Sequence, residues 1–257
     1  MGVLDSFVLR GKVAVVTGGG RGLGLAMAEG LAEAGSDIVL CSRKEENCRE
    51  AAEKIRHLGV EAAGIGCNIT NPDDIAGLRD FVLEKFGRID ILVNNSGATW
   101  GAPTEEYPLK GWKKVIDVNV TGTFLCSQIL GRVMIEQGGG KIVNVSSIYG
   151  GVGAPSDIMD AIAYNTSKGA MEAFTRDLAV KWAKYGIHVN SVAPAFIETD
   201  LTKETMQKGG GPILAHVPLG RFGRPADLKG AVVFLSSGAS DYVTGMTLFV
   251  DGGYRAM

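Results

Sequence analysis

Tyr164-Asn165-Thr166-Ser167-Lys168 sets a phenol and an ammonium four residues apart. On a helix, positions i and i+4 share a face, so both groups can enter one pocket. A phenol beside a cation is a prospective proton donor, because a nearby positive charge lowers tyrosine's ionisation from its usual value of about 10. Solvated helix surfaces carry the same spacing often, so its meaning depends on its company. Upstream lie the run Thr17-Gly18-Gly19-Gly20-Arg21-Gly22-Leu23-Gly24, the segment Asn94-Asn95-Ser96-Gly97, and a β-branched run ending in Ser146-Ser147. Reducing a ketone takes a hydride on carbon and a proton on oxygen, with charge developing on that oxygen. A tyrosine donor, a lysine one turn on and a serine hydroxyl at a strand end suit that reaction. The two serines face opposite ways on a strand. Tyr149 is followed four positions later by Gly153 rather than a lysine, which leaves the donor role to Tyr164 and places Tyr149 in the substrate pocket.

Strand and helix patterns alternate along the chain to hold these residues. Lys12–Thr17, Asp37–Cys41, Ala62–Gly66, Ile89–Val93, Lys141–Ser146, Ile187–Val192 and Thr247–Val250 read as buried parallel strands, nearly continuous in apolar residues. Gly22–Ala34, Glu45–Leu58, Asp73–Phe86, Trp112–Glu136, Tyr164–Tyr185 and Pro225–Ser236 read as helices. Asn71-Pro72 and Phe86-Gly87 punctuate one of them. The order predicts a single α/β domain over residues 1–257, a Rossmann-type, doubly wound parallel sheet of about seven strands with helices on both faces. Glu198–Arg221 lacks clear periodicity and carries Gly209-Gly210-Gly211-Pro212; it reads either as a substrate lid or as a surface excursion.

The 257 residues are 46% hydrophobic and 21% charged, enough for one sizeable core. A net charge of −2, without a basic block or acidic tail, gives no reason to expect nucleic acid or an anionic membrane as partner. Cys41, Cys48, Cys67 and Cys126 form no Cys-x-x-Cys pair and have no neighbouring histidine cluster. Free thiols in a reduced, cytoplasmic compartment are expected, and no metal site. No signal-peptide pattern opens the chain, and the apolar runs read as broken before bilayer-spanning length, so a soluble protein is expected.

The glycine run follows one strand and opens a helix, where glycines let the backbone approach a pyrophosphate and helix-terminal amides bind it. The strict G-x-G-x-x-G spacing is absent; the glycines fall at Gly18, Gly22 and Gly24. Together with Asn94-Asn95-Ser96-Gly97, Asn119, Ser147, Tyr164-x-x-x-Lys168, Pro194 to Thr199 and Asp251-Gly252-Gly253, this loop makes the chain resemble a single-domain short-chain dehydrogenase/reductase over essentially its whole length. The resemblance implies a nicotinamide dinucleotide and hydride exchange with a carbonyl or alcohol. It selects Ser147 as the catalytic serine and implies that Asn119 holds a water relaying protons to Lys168; read from the residue itself, Asn119 is equally a structural hydrogen bonder. Cofactor contacts are implied for Gly18, Gly20, Arg21, Gly22, Leu23, Gly24, Ser42, Arg43, Asn68, Ile69, Asn95, Ser96, Gly97, Tyr164, Lys168, Pro194, Ile197 and Thr199. Asn68 stands where the family usually has Asp, Ser96 where it usually has Ala, and Ala195 where it usually has Gly. A carboxylate after the second strand would favour NAD. Ser42 occupies that position and Arg43 follows; with Arg21 it forms a pair of cations suited to a 2′-phosphate, which favours NADP over NAD.

Between Ser147 and Tyr164 the chain is about four residues longer than in typical relatives, and loops absorb such lengthening at little cost. The extra length, Ser156-Asp157-Ile158-Met159-Asp160, either shapes the substrate side or is a surface bulge. Trp100, Tyr149, Ala154, Ile158, Met159, Phe196, Met206 and His216 are the candidate pocket residues. Leu4-Asp5-Ser6-Phe7, Leu9-Arg10-Gly11-Lys12 and Tyr242-Val243-Thr244-Gly245 resemble gluconate 5-dehydrogenases, which implies a sugar-acid substrate. Ala98-Thr99-Trp100-Gly101 resembles 3-oxoacyl-carrier-protein reductases, the alternative. A non-catalytic NADP-binding regulator, the reading from another class, predicts a damaged tetrad, whereas Asn119, Ser147, Tyr164 and Lys168 are all present. The family resemblance further implies a homotetramer.

Overall fold

The computed structural model describes residues 2–156, 158–199 and 203–257. Seven strands form one parallel sheet: β1 (Val13–Thr17), β2 (Asp37–Ser42), β3 (Ala62–Gly66), β4 (Ile91–Asn94), β5 (Gly140–Val145), β6 (Ile187–Pro194) and β7 (Thr247–Val250). Their order is β3-β2-β1-β4-β5-β6-β7. The central strands have helices on both faces, so both side-chain sets along a strand are apolar. Alternation along β1 and β2 sorts these sets cleanly. Ala14, Val16, Ile38 and Leu40 point to a core shared with α1 (Gly22–Glu33), α2 (Glu45–Arg56) and α8 (Lys229–Ser236). Val13, Val15, Val39 and Cys41 point to the opposite core, built with α3 (Pro72–Phe86), α5 (Gly122–Gln137) and α6 (Ile162–Trp182). The four cysteines are free and buried.

Strand order reverses between β1 and β4, and the crevice beyond the carboxyl ends of such strands is where doubly wound sheets bind ligands. Helix ends follow their local chemistry. The Asn71 side chain accepts from the Asp73 N–H at 3.1 Å with Pro72 in the first turn, and Gly87 ends α3 in the left-handed conformation.

Three expectations need correction. The helix expected over Trp112–Glu136 begins earlier as α4 (Leu109–Ile116), widens through a π-helical turn (Asp117–Thr121), and continues as α5. In that turn the Gly122 N–H reaches back five residues to the Asp117 carbonyl. This run of 29 residues, Leu109–Gln137, does have the length and hydropathy to cross a bilayer, contrary to the reading of its sequence as broken. Half of its most apolar window is buried within the protein, as in a core helix. Lastly, Glu198–Arg221 contains α7 (Lys203–Leu214) despite its glycine run. Packing offsets weak propensity there: Gly210 is buried, and a Cβ on it would lie 2.6 Å from the Phe222 ring.

Candidate active site

The cofactor half of the site is built from loops at the β1, β2 and β4 carboxyl ends. Gly18 and Gly22 have φ of 65° and 58°, so the loop uses a backbone form that side chains disfavour. Arg21 is the N-cap of α1 without a side-chain capping bond, and the first helical hydrogen bond runs from Leu25 N–H to Arg21 C=O. The first-turn amides of Gly22, Leu23 and Gly24 have no partner within the helix itself, and a Cβ on Gly22 would meet nothing within 4 Å. An uncapped, glycine-lined helix end fits a pyrophosphate. Gly20 lies against the Asn47 backbone. The Asn95 amide donates to the carbonyls of Thr17 at 2.9 Å and Gly18 at 3.1 Å, tying β4 to the glycine loop. Thr17 reciprocates, its hydroxyl accepting the Asn95 and Ser96 N–H groups at 3.0 Å each.

At the β2 end, the Ser42 hydroxyl is engaged locally, donating to the Lys44 carbonyl at 2.9 Å and accepting from the Cys48 thiol. Arg21 and Arg43 are both exposed, and among the described residues neither guanidinium has a carboxylate partner. Asn68 Oδ1 accepts from both the N–H and the hydroxyl of Thr70, which leaves its NH2 group for an adenine. Ile69 is buried beside Gly122, and Gly97 lies beside Asn119. Pro194 closes β6; Ile197 pairs with Gly223, and Thr199 follows on the same loop.

The catalytic candidates come together from β5, α6 and the π-helical turn. Ser147 follows the end of β5 and caps a short turn, Ile148–Gly150. Burial raises the pKa of the Tyr164 phenol, and the nearby Ser147 hydroxyl draws it down by less. Lys168 is 5% exposed; its Nζ lies 5.4 Å from the Tyr164 ring centroid and donates to the Val145 carbonyl at 2.6 Å. Burial pushes its pKa down to about 8. Desolvation opposes charge on both members of the pair. Asn119 is held on both sides of its amide. Its amide donates to the Ala98 carbonyl at 3.0 Å and to the Ser167 hydroxyl at 2.9 Å, while its Oδ1 accepts the Ala98 N–H at 2.7 Å. Both amide protons are thus engaged within the fold. Ser167 carries the linkage on, donating to the Tyr164 carbonyl at 2.7 Å.

A glycine cradle at an uncapped helix and a serine-tyrosine-lysine corner lie along one sheet edge, and sequence comparison accounts for the combination. The profile of a family described as enoyl-(acyl carrier protein) reductase matches residues 18–255. The 2-dehydro-3-deoxy-D-gluconate 5-dehydrogenase of Dickeya dadantii is 41% identical over 99% of both chains. The chain belongs to the short-chain dehydrogenase/reductase family. A 3-oxoacyl-[acyl-carrier-protein] reductase of Synechocystis is 38% identical over 95% of this chain and 97% of its own. A crystal structure of gluconate 5-dehydrogenase from Burkholderia cenocepacia, in complex with NADP and tartrate, superposes with a TM-score of 0.94 at 37% identity over the whole of both chains. The family comprises oxidoreductases of CH–OH groups that use a nicotinamide cofactor.

In this short-chain dehydrogenase/reductase three aromatic rings cluster beside the loop that follows Ser147. The Phe196 ring meets Tyr149 edge-on at 6.0 Å and Tyr254 at 5.6 Å. Tyr149 is buried, and its hydroxyl, facing Tyr254, makes no well-formed hydrogen bond among the described residues. Trp100 packs against Gly111 on α4, with the Lys114 ammonium 5.4 Å from its ring. The Asp160 carbonyl accepts the Ala102 N–H at 3.0 Å, so the lengthened loop carrying Ile158 and Met159 is joined to the Trp100 loop; Asp157 lies outside the described residues. Met206 is buried, whereas His216 is exposed and bonds the Pro212 carbonyl at 2.9 Å. Sequence reasoning missed the bracing roles of Thr17 and Ser167 and the ring contact of Tyr254. Thr17 and Ser167 stood inside motifs already singled out, but small hydroxyls have no spacing signature that separates a brace from a surface residue.

Proposed function

We propose that this protein is an NADP(H)-dependent oxidoreductase interconverting a secondary alcohol and a ketone, with a sugar acid as substrate. The observation that carries it is the convergence of the Ser147 hydroxyl and Tyr164 phenol, with Lys168 one turn along α6. In the reductive direction the Tyr164 phenol donates its proton to the substrate oxygen. Ser147 hydrogen-bonds the same oxygen and stabilises charge developing there. Lys168, held by the Val145 carbonyl, supports the phenolate that remains. A nicotinamide dinucleotide, with its pyrophosphate at Gly18, Gly20, Gly22, Leu23 and Gly24, its adenine at Asn68 and its nicotinamide at Ile197 and Thr199, would supply hydride-transfer chemistry. Arg21 and Arg43 would pair with a 2′-phosphate, and the NADP named in the Burkholderia structure supports that choice. Asn119 keeps Tyr164 in place through Ser167.

Tyr164→Phe should bind NADPH normally and lose turnover by roughly 100- to 10,000-fold, the usual contribution of a positioned general acid. Full turnover in that variant would refute the mechanism. Cofactor choice is tested by kcat/KM with NADPH and NADH, for the wild type and for Arg43→Ala; equal or better efficiency with NADH overturns it. The sugar-acid reading is supported by the Dickeya and Burkholderia relatives. A second reading, a 3-oxoacyl thioester reductase, is favoured by the aromatic cluster and the Synechocystis relative. A panel of keto sugar acids, 3-oxoacyl thioesters and cyclic ketones, followed by NADPH absorbance, decides between them. We also read the segment 198–221 as a substrate lid and the assembly as a homotetramer; exposed Phe124 on α5 and Val180 on α6 supply apolar surface for association.

A further inference from the structure

Ser146 has no part in the chemistry above, since its side chain points away from the face that Ser147 serves. We propose that Ser146 is a positioning residue that fixes Lys168, and through α6 Tyr164, against the end of β5. The proposal rests on the reading of Tyr164 and Lys168 as the catalytic pair.

The Ser146 N–H extends the sheet ladder to the Val192 carbonyl at 2.8 Å, which fixes its backbone, and the residue is 3% exposed. Its hydroxyl donates to the Lys168 carbonyl at 3.1 Å. The preceding residue, Val145, accepts from the Lys168 ammonium at 2.6 Å. Two consecutive strand residues therefore hold the lysine at both ends, its main chain and its charged tip. The turn that carries Ser147 closes over this brace. A Cβ on Gly150 would lie 2.9 Å from the Lys168 carbonyl oxygen, 3.0 Å from Ser146 Oγ and 2.6 Å from Glu172 Oε1. A Cβ on Gly169 would lie 3.1 Å from the Gly150 carbonyl oxygen. The Ser147 turn thus rests directly on the α6 backbone one turn beyond Tyr164, with the Ser146 hydroxyl enclosed between them. Ser147 and Tyr164 must meet on one substrate oxygen yet come from different elements. A reacting group displaced by a fraction of an ångström loses rate without losing affinity, and the Ser146 bond crosses the gap where such a displacement would arise.

The test measures kcat, both KM values, NADPH affinity by fluorescence and thermal stability for Ser146→Ala, Ser146→Thr, Gly150→Ala and Tyr164→Phe. The carbonyl probe is a 5-keto sugar acid, or 3-oxobutanoyl thioester if that is turned over faster. Ser146→Ala should lower kcat by about tenfold, the effect of one lost buried hydrogen bond, while NADPH affinity and both KM values stay within about twofold. Ser146→Thr keeps the hydroxyl and should recover to within about threefold of wild type, and Gly150→Ala should lower kcat with the hydroxyl intact. A Ser146→Ala kcat within twofold of wild type overturns the proposal. So does a loss shared equally by NADPH affinity and stability and not recovered by Thr. Should Ser146→Ala fail to fold, Gly150→Ala is judged by the same kcat and affinity criteria. Retained turnover in Tyr164→Phe would overturn the catalytic reading itself, whereas its loss beside an unaffected Ser146→Ala removes the positioning role alone.

Discussion

Replacing Lys168 by methionine should reshape the pH dependence of stability in a way that its activity loss does not disclose. The ammonium is 5% exposed, and burial lowers its pKa from the ordinary 10.5 to about 8. Below pH 8 both the folded and the unfolded chain hold the proton, and the folded state bears the full cost of a desolvated charge. Between pH 8 and 10.5 the folded lysine has released its proton while the unfolded one still binds it, so stability rises with pH. At about 1.4 kcal/mol per pH unit, moving the titration from 10.5 to about 8 corresponds to about 3 kcal/mol. The Val145 carbonyl favours the charged form and trims that figure. Lys168→Met removes the titration but leaves every other ionisable group, so the difference between the two proteins isolates it. For a domain of this size about 3 kcal/mol is roughly 6–12 °C. Thermal unfolding of both proteins at pH 7, 8, 9 and 10.5 should show the wild type gaining about that much on the variant. A difference that stays flat within about 2 °C would refute a desolvated, cost-bearing Lys168.

Other perturbations separate braces from chemistry. Asp90 accepts from Arg88, from Lys12 and from the Val13 N–H at the opposite end of the sheet; burial pushes its pKa up, but these partners outweigh it and leave it lowered. Its contribution is complete above the ordinary carboxylate pKa and is lost as pH falls through the lowered one. Asp90→Asn should therefore cost about 1–3 kcal/mol at pH 7, converge with the wild type in acid, and leave KM unchanged. Tyr149→Phe deletes a buried hydroxyl without a well-formed partner, so melting temperature should hold or rise and kcat stay within about threefold, unlike Tyr164→Phe. Light scattering at working concentration should give a tetramer's mass, and a monomer would remove that reading.

Strand positions were legible because buried parallel strands are continuous in apolar residues; β1 through β7 each overlap a run visible in the sequence. The edges were not. β6 runs on to Pro194, where pairing with β7 overrides a residue that cannot donate. The π-helical turn at Asp117–Thr121 leaves no sequence mark, since one extra residue in a turn keeps helical composition. α7 hid behind glycines because its stability comes from contacts, such as Gly210 on Phe222, that no local window contains. Within the site, the proximity of Ser147, Tyr164 and Lys168 was legible from motif and spacing. What escaped was the raised phenol pKa and the use of Asn95 and Asn119 amides as ties, because both depend on burial and on partners distant in sequence.

Those ties set the conditions for moving this chemistry to another scaffold. Asn119 grips the main chain at Ala98, Ser167 grips it at Tyr164, and Asn95 grips it at Thr17 and Gly18. Each bond ends on peptide groups, so its acceptors can be mutated in side chain without being lost, but cannot be supplied by copying side chains. A graft of Ser147, Tyr164 and Lys168 onto a different open sheet would arrive without its joinery; the portable unit is the set of backbone segments together with the hydroxyls and amides that pin them.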